Sequence, residues 1–226
     1  MTTGTLASPP PGGQLLKPRM RGWLHFWSFA VSIAAGATLI SVSAALVGAT
    51  AALATSVYAA TTLGLFGVSA LYHRRTWRTP RSRAVMRRLD HSMIFLFIAG
   101  TYTPVAALAM DPATARTVLT IVWVGAAAGV VLKMAWPHAP AWVGVPVYLA
   151  LGYVAVFVIP SILVGGGVAA LVLILVGGLL YTVGAIFYAT RRPNPWPATF
   201  GFHEFFHAAT VVAAICHHVA IWLILF

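Results

Sequence analysis

The sequence predicts an all-α integral membrane protein, a bundle of seven transmembrane helices with a cytoplasmic N-terminus and an outward C-terminus. Of the 226 residues, 60% are hydrophobic and 8% are charged, whereas a soluble domain is normally about 45–50% apolar and about 25% charged. The mean hydropathy is +0.90. Seven spans of roughly 22 residues would use about 154 positions, which leaves a tail and short loops. Soluble globular, disordered and disulfide-scaffold proteins are excluded, the last because Cys216 is the single cysteine.

The chain opens with a segment rich in Pro, Gly and Thr, and we expect residues 1–22 to form a disordered cytoplasmic tail. Residues 23–226 are predicted to form the seven-helix membrane domain. Each apolar run in it is near the roughly 20 residues that cross a bilayer. The predicted spans are His25–Val47, Ala51–His73, His91–Met110, Val118–Trp136, Val143–Ile162, Val168–Ala189 and His203–Phe226.

The distribution of basic residues predicts the orientation. The net charge is +11, and with seven spans all but one of the 14 Lys and Arg residues fall on the same side of the membrane. Arg116 is the exception. Because cytoplasmic loops carry an excess of Lys and Arg, this side is the cytoplasm. Basic residues of so hydrophobic a chain face anionic headgroups, so we expect membrane lipids as partners and no nucleic acid.

The last predicted span opens with a histidine pair, His203-Glu204-Phe205-Phe206-His207. Residues i and i+4 share one face of a helix, so His203 and His207 can bind a single metal ion. The letters also spell H-E-x-x-H, the zinc-protease pattern, in which the glutamate is the general base. The alternative is a pair of interfacial histidines that face lipid headgroups.

The topology brings a third histidine to the same depth. The second span ends at His73 on the cytoplasmic side, the third begins there after Asp90, and the seventh begins there with His203 and His207. Ionisable groups within a membrane are costly and usually functional. Three neutral imidazoles with an open fourth position are typical of catalytic zinc, which activates water near neutral pH. We therefore predict a zinc site on His73, His203 and His207.

Two neighbours of this site have a predicted catalytic role. Asp90 could hold water or take its proton, or orient a ligand histidine. Ser69 lies one turn before His73, so its hydroxyl could donate to a developing oxyanion, although the spacing alone favours a serine bonded to the helix backbone. His25 is interpreted as an interfacial residue whose side chain reaches towards water. His217 and His218 lie about 15 Å deeper than His207, too far to share its metal ion.

These residues occur within three blocks that resemble the signature blocks of the bacterial hemolysin III family, the bacterial branch of the progestin and adipoQ receptors, related more distantly to alkaline ceramidases. The blocks are Ser69-x-x-x-His73, the segment Leu89-Asp90-His91-Ser92-Met93-Ile94-Phe95-Leu96-Phe97-Ile98-Ala99-Gly100-Thr101-Tyr102-Thr103-Pro104, and His203-x-x-x-His207. One departure lies before the first span, where only His25 is retained from a pattern that often includes acidic residues and a Thr-His pair.

The resemblance implies a seven-helix bundle in the bacterial inner membrane, with zinc near the cytoplasmic leaflet on His73, His203 and His207. It also implies that Asp90 and Ser69 lie beside water on the zinc. In the receptor and ceramidase relatives this site is associated with hydrolysis of lipid amides, and bacterial members have been linked to membrane lipid homeostasis. The resemblance assigns no catalytic role to Glu204.

Four functions follow from these observations as alternatives. The first is a zinc-dependent hydrolase that acts on a lipid amide or ester. The second is a non-enzymatic sensor or receptor-like bundle in which zinc is structural. The third is a cytolysin, although pore formers that insert from water need a soluble form. The fourth is an intramembrane protease that uses Glu204. The sequence specifies neither the substrate nor the oligomeric state.

Overall fold

A computed structural model describes residues 17–136 and 141–226, and within those ranges the chain is helical without regular strands. Helix α1 ends in a π-helical turn, Ser43–Val47, and α5 continues into a 3₁₀ segment, Tyr153–Val158. The α-helices are α1 (Trp23–Val42), α2 (Ala49–Arg74), α3 (Pro80–Ala109), α4 (Pro112–Ala135), α5 (Ala141–Gly152), α6 (Ile159–Thr190) and α7 (Phe202–Leu225). The predicted all-helical membrane class is confirmed.

Six helical stretches of the described residues are long and apolar enough to cross a membrane. Five of them correspond to the predicted spans one to four and seven. The predicted spans five and six fall in a single stretch, Val143–Thr190, of 48 residues. It is interrupted at Gly167, where φ is 77° and ψ is 172°, a conformation that favours glycine. The structure therefore has a kink at Gly167 where the sequence predicted the connection between the fifth and sixth spans.

Two helices begin earlier than their apolar runs. Helix α3 starts at Pro80, where Thr79 caps it by accepting a hydrogen bond from the Ser82 amide at 3.1 Å. Helix α4 starts at Pro112, and the Asp111 carboxylate accepts from the amides of residues 113 and 114. Hydrogen bonds, chiefly from the Thr114 hydroxyl, lower the pKa of Asp111, so this cap is charged at neutral pH. Hydropathy marks only the apolar part of a helix, which explains the difference.

Helix α3 is the centre of the bundle. It packs against α2, α4, α5, α6 and α7, while α1 closes the ring between α2 and α7. One side of α3 presents Phe95 and Ala99 to a core shared with α4, and the other presents Phe97 and Val105 to a core shared with α2, α6 and α7. Both of these sides of α3 therefore face the interior of the bundle.

The segment before α1 is attached to the loop before α7. The Arg19 and Met20 amides donate to the carbonyls of Ala198 and Thr199 at 3.0 and 3.1 Å. Residues 1–16 of the predicted disordered tail lie outside the described residues. The attachment places Arg21 beside the beginning of α7, where it contributes to the site.

Tyr102 of α3 holds the 3₁₀ segment in place. Its hydroxyl donates to the Gly152 carbonyl and accepts from the Ala155 amide, both at 2.6 Å. A side chain inserted between backbone groups in this way interrupts the helical hydrogen-bond ladder. We expect Tyr102→Phe to reduce the free energy of unfolding by about 2 kcal/mol, because the Gly152 carbonyl and the Ala155 amide both lose their hydrogen-bond partner.

Thermal unfolding of the detergent-solubilised variant measures this loss. Tyr153→Phe is the matched control, since the Tyr153 hydroxyl contacts only the exposed Thr182 hydroxyl at 3.2 Å among the described groups. An equal stability loss in the two variants would contradict the bridging role of Tyr102.

Candidate functional site: a three-histidine cluster

The structure brings His73, His203 and His207 together at one end of the bundle. His73 lies in the last turn of α2, and the other two occupy the first two turns of α7. The Nε2 atoms of His73 and His203 are 3.2 Å apart. One nitrogen from each of the three imidazoles lies within 4.8 Å of the others. The three side chains are therefore close enough to bind one metal ion.

Burial makes these imidazoles suitable ligands. His73 and His207 are buried, and His203 is partly buried against the Tyr188 ring of α6. A buried imidazole is best accommodated in its neutral form, which leaves a lone pair for a metal. The i, i+4 spacing of α7 and the end of α2 thus present nitrogen donors to one point, as the sequence predicted.

Asp90 and Ser69 lie beside the cluster. Asp90 Oδ2 is 3.7 Å from His73 Nε2, and the Ser69 hydroxyl is close to the same carboxylate. Both side chains are buried and line the cavity that also contacts His203 and His207. An acid–base group and a hydroxyl donor therefore accompany the three histidines.

The interpretation of His25 as an interfacial residue is wrong. The His25 side chain does not reach towards water but is buried, with 3% of its surface exposed. Its ring stacks on that of His207 with the centroids 3.8 Å apart and the planes at 7°. Since α1 is apolar on nearly every side, hydropathy could not indicate which of its faces contacts α7. His25 is a neighbour that restrains the His207 ring.

Glu204 is occupied by contacts away from the cluster. One carboxylate oxygen pairs with Arg21, and the other accepts from the Gly201 amide at 2.8 Å, at the beginning of α7. The glutamate is 2% exposed. These contacts cap the helix and attach the segment before α1 to α7, so they favour a structural role over that of the protease general base.

The Arg21–Glu204 ion pair should respond unequally to the loss of either partner. Arg21→Gln leaves the buried Glu204 charge unpaired, so we expect the free energy of unfolding to fall by about 3 kcal/mol. Glu204→Gln should cost about 1 kcal/mol, because the amide still accepts from Gly201 and the 22% exposed Arg21 can turn towards water. Thermal unfolding in detergent compares the two. A larger loss in Glu204→Gln would contradict this account.

A cavity of about 280 Å³ extends from the cluster into the bundle. Ser69, Asp90, His203 and His207 line its beginning, and Tyr181 and His217 lie further along α6 and α7. Part of the wall consists of Val156 from the 3₁₀ segment and Leu179 from α6, which are also exposed on the outside of the bundle. The cavity thus approaches the hydrocarbon region of the membrane between these two segments.

Two features near the site could not be predicted from the sequence: the Arg21 ion pair and the tyrosines that line the cavity. Arg21 pairs with a residue 183 positions away, and no local pattern indicates such a contact. Tyr181 and the other tyrosines of the cavity occur in apolar runs where an aromatic residue is unremarkable. A polar hydroxyl in the middle of a span was the only available signal.

The chain is similar in sequence to known proteins of one family. The sequence model of a family described as "Haemolysin-III related" matches residues 13–218. The chain is 30% identical over 137 residues to a Hemolysin-3 homolog of Bacillus subtilis (strain 168), covering 61% of this chain and 63% of the relative. It is 32% identical over 147 residues to Hemolysin-3 of Bacillus cereus, covering 64% and 65% respectively.

A human protein, "Monocyte to macrophage differentiation factor", is 27% identical over 173 residues, which cover 75% of this chain and 69% of the relative. The alignments with the two bacterial relatives span less than two thirds of their lengths.

Proposed function

This chain belongs to the haemolysin-III related family, and from that membership together with the histidine cluster we propose that it is a zinc-dependent hydrolase of lipid amide or ester bonds, acting in membrane lipid homeostasis. The observation that carries the proposal is the position of the cluster. His203, His207, Asp90 and Ser69 line the beginning of a largely apolar cavity, and His73 lies beside His203 and Asp90.

The spacing of one donor pair supports zinc, and the third nitrogen lies within 4.8 Å of both. Tetrahedral ligands at a Zn–N distance of about 2.0–2.1 Å lie about 3.3 Å from each other, and the His73 and His203 Nε2 atoms are 3.2 Å apart. His73, His203 and His207 would hold the Zn²⁺ ion. When bound, the metal would supply Lewis acidity and a water activated near neutral pH.

The neighbouring side chains supply the remaining chemistry. Asp90 accepts a proton from the attacking water, whose oxygen adds to the substrate carbonyl carbon. The Ser69 hydroxyl donates to the carbonyl oxygen as negative charge develops there. The C–N or C–O bond then breaks, and Asp90 returns the proton to the departing nitrogen or oxygen. The products are a carboxylic acid and an amine or alcohol.

The cavity supports a lipid substrate. Its walls are mostly apolar, and it approaches the membrane interior between Val156 and Leu179. An acyl chain can therefore bury its methylene groups there while its carbonyl group reaches the histidines. A water-soluble substrate would find few polar partners along the same walls.

We further propose that residues 23–226 cross the bacterial inner membrane seven times, with the histidines near the cytoplasmic leaflet. The 48-residue stretch would extend about 72 Å as one straight helix, far more than the roughly 30 Å of hydrocarbon. Gly144 lies beside Lys133 at the end of α4, Gly165 beside Ala109 at the end of α3, and Gly184 beside Phe206 near the beginning of α7. In the predicted topology the first and third of these neighbours are on the cytoplasmic side and the second is on the outer side. This alternation supports two crossings with the turn near Gly167. Seven crossings put all but one basic residue in the cytoplasm.

The second candidate is a non-enzymatic bundle with structural zinc. It is favoured by one observation: the backbones of α2 and α7 make few close approaches to each other. A metal held by His73 on one helix and His203 and His207 on the other would connect them. The Hemolysin-3 name belongs to the relatives and carries no separate observation for this chain.

Removal and return of zinc tests the proposal. We expect protein reconstituted in lipid bilayers to release fatty acid from a panel of ceramides, N-acyl lipids and phospholipids. Release should stop after chelation and return with Zn²⁺. Mass spectrometry of the lipids identifies the bond that breaks. Zinc-dependent thermal stability without fatty acid release from any lipid would favour the structural role instead.

A further inference from the structure

Three exposed cations form a cluster at the same end of the bundle as the histidines. Lys17 precedes α1, Arg74 is the last residue of α2, and Arg83 lies near the beginning of α3. Desolvation, followed by the charges of Arg74, Arg21 and Arg83, lowers the pKa of Lys17. Three separate parts of the chain therefore hold positive charges within electrostatic reach of one another. We call Lys17, Arg74 and Arg83 the cation cluster.

The acidic side chains of the protein are all engaged elsewhere. The whole sequence contains three of them, Asp90, Asp111 and Glu204. Asp90 is buried beside His73, Asp111 caps α4, and Glu204 pairs with Arg21. Like charges that are held together without a counterion repel one another. The anion that neutralises the cation cluster therefore comes from another molecule, and a second copy of so basic a chain is a poor source.

Aromatic side chains beside the cation cluster indicate the source of this anion. The Arg74 guanidinium lies over the Trp23 ring, 3.9 Å from its centroid. Trp23 in turn stacks on Trp27, which is 62% exposed on the outside of α1. Tryptophans at the end of a span lie at the level of the lipid headgroups. A molecule that contacts both the cations and Trp27 carries a negative charge and hydrocarbon chains.

We propose that the cation cluster binds the phosphate of an anionic phospholipid, whose acyl chains lie against Trp27 on the outside of α1. Of the described residues that line the cavity, none belongs to the cation cluster. The site is therefore separate from the cavity and does not depend on the proposed hydrolase. It lies close to His73, because a Cβ added to Gly22 would be 2.7 Å from the His73 Cβ. A bound headgroup holds the segment before α1 against α2 and α3.

Competition between matched phospholipids tests the site. Phosphatidylglycerol and phosphatidylcholine with the same acyl chains each displace a fluorescent phosphatidylglycerol from the purified protein in neutral detergent. We expect phosphatidylglycerol to compete about tenfold better at low salt, since each basic residue near an anionic lipid favours binding about fivefold. The ratio should fall towards one at high salt, because exposed charges are screened.

Single substitutions separate a site from the general positive charge of this end of the bundle. Arg83→Gln should reduce the ratio about fivefold, to about two. Arg81→Gln is the matched control, because Arg81 is also exposed at the beginning of α3 but is not among the cations that act on Lys17. It removes the same net charge and should keep the tenfold ratio. Thermal unfolding of both variants confirms that they are folded.

Three results would overturn the inference. Equal competition by the two phospholipids in wild type would mean that the cation cluster does not bind a lipid phosphate. Equal loss of the ratio in Arg81→Gln and Arg83→Gln would mean that the lipid responds only to the overall charge. Displacement by inorganic phosphate at the concentration at which phosphatidylglycerol acts would identify a site for a soluble anion. Each of these results leaves the proposed hydrolase intact, because zinc content and fatty acid release are measured separately.

Discussion

Replacement of His73, His203 or His207 by alanine is expected to reduce the zinc content of the purified protein from one ion per chain to nearly none. Each variant leaves two imidazoles for a metal that prefers at least three protein ligands. Loss of a residue that only hydrogen-bonds to a metal ligand weakens metal binding about 10–100-fold. Loss of a ligand itself should therefore weaken zinc binding by more than about a hundredfold. Metal analysis after dialysis against a weak chelator measures the content.

His218→Ala is the matched control. His218 is on α7 as well, but its ring contacts Tyr58 and Trp222 away from the cluster. This variant should retain one zinc per chain. If wild-type protein binds no zinc and gains no thermal stability from added Zn²⁺, both the hydrolase and the structural-zinc proposals are wrong.

Asp90→Asn should abolish lipid hydrolysis while zinc remains bound. The amide keeps the size of the carboxylate but cannot accept the proton of the attacking water, and general base catalysis typically contributes about 10²–10⁴-fold. We expect the rate of fatty acid release to fall about a thousandfold, with the zinc content unchanged. Parallel measurements of release and metal content distinguish this effect from simple loss of the site.

Glu204→Gln discriminates the lipid hydrolase from a protease of the H-E-x-x-H type. Because the carboxylate caps α7 and pairs with Arg21, the variant should lose some stability but keep its rate per zinc-loaded chain. A rate that collapses in Glu204→Gln and persists in Asp90→Asn would support the protease.

The fold could be predicted to the level of its class and most of its spans, because apolar runs of about 20 residues carry that information directly. The sequence predicted the fifth and sixth spans as separate helices, whereas the structure joins them in one helical stretch with a kink at Gly167. The residues around Gly167 are apolar on both sides, and backbone groups in an apolar environment satisfy their hydrogen bonds best by remaining helical. A hydropathy pattern therefore contains no polar turn to detect.

The cluster was accessible from the sequence for a different reason. His203 and His207 share a helical face by spacing, and the depth of His73 follows from the span order. The stacking of His25 on His207 and the pairing of Arg21 with Glu204 depend on which faces of α1 and α7 meet. Helix α1 is apolar on nearly every side, so periodicity does not identify the face that contacts α7.

The order of synthesis has a consequence for the histidine cluster. His73 and His203 are 130 positions apart, and the chain emerges from the ribosome with α2 long before α7. During that interval α2 offers a single imidazole, which is a poor site for zinc. Under the proposed zinc site, metal loading would wait until the last helix has inserted and docked. Zinc content would then report that biogenesis is complete, and prematurely terminated chains would remain metal-free.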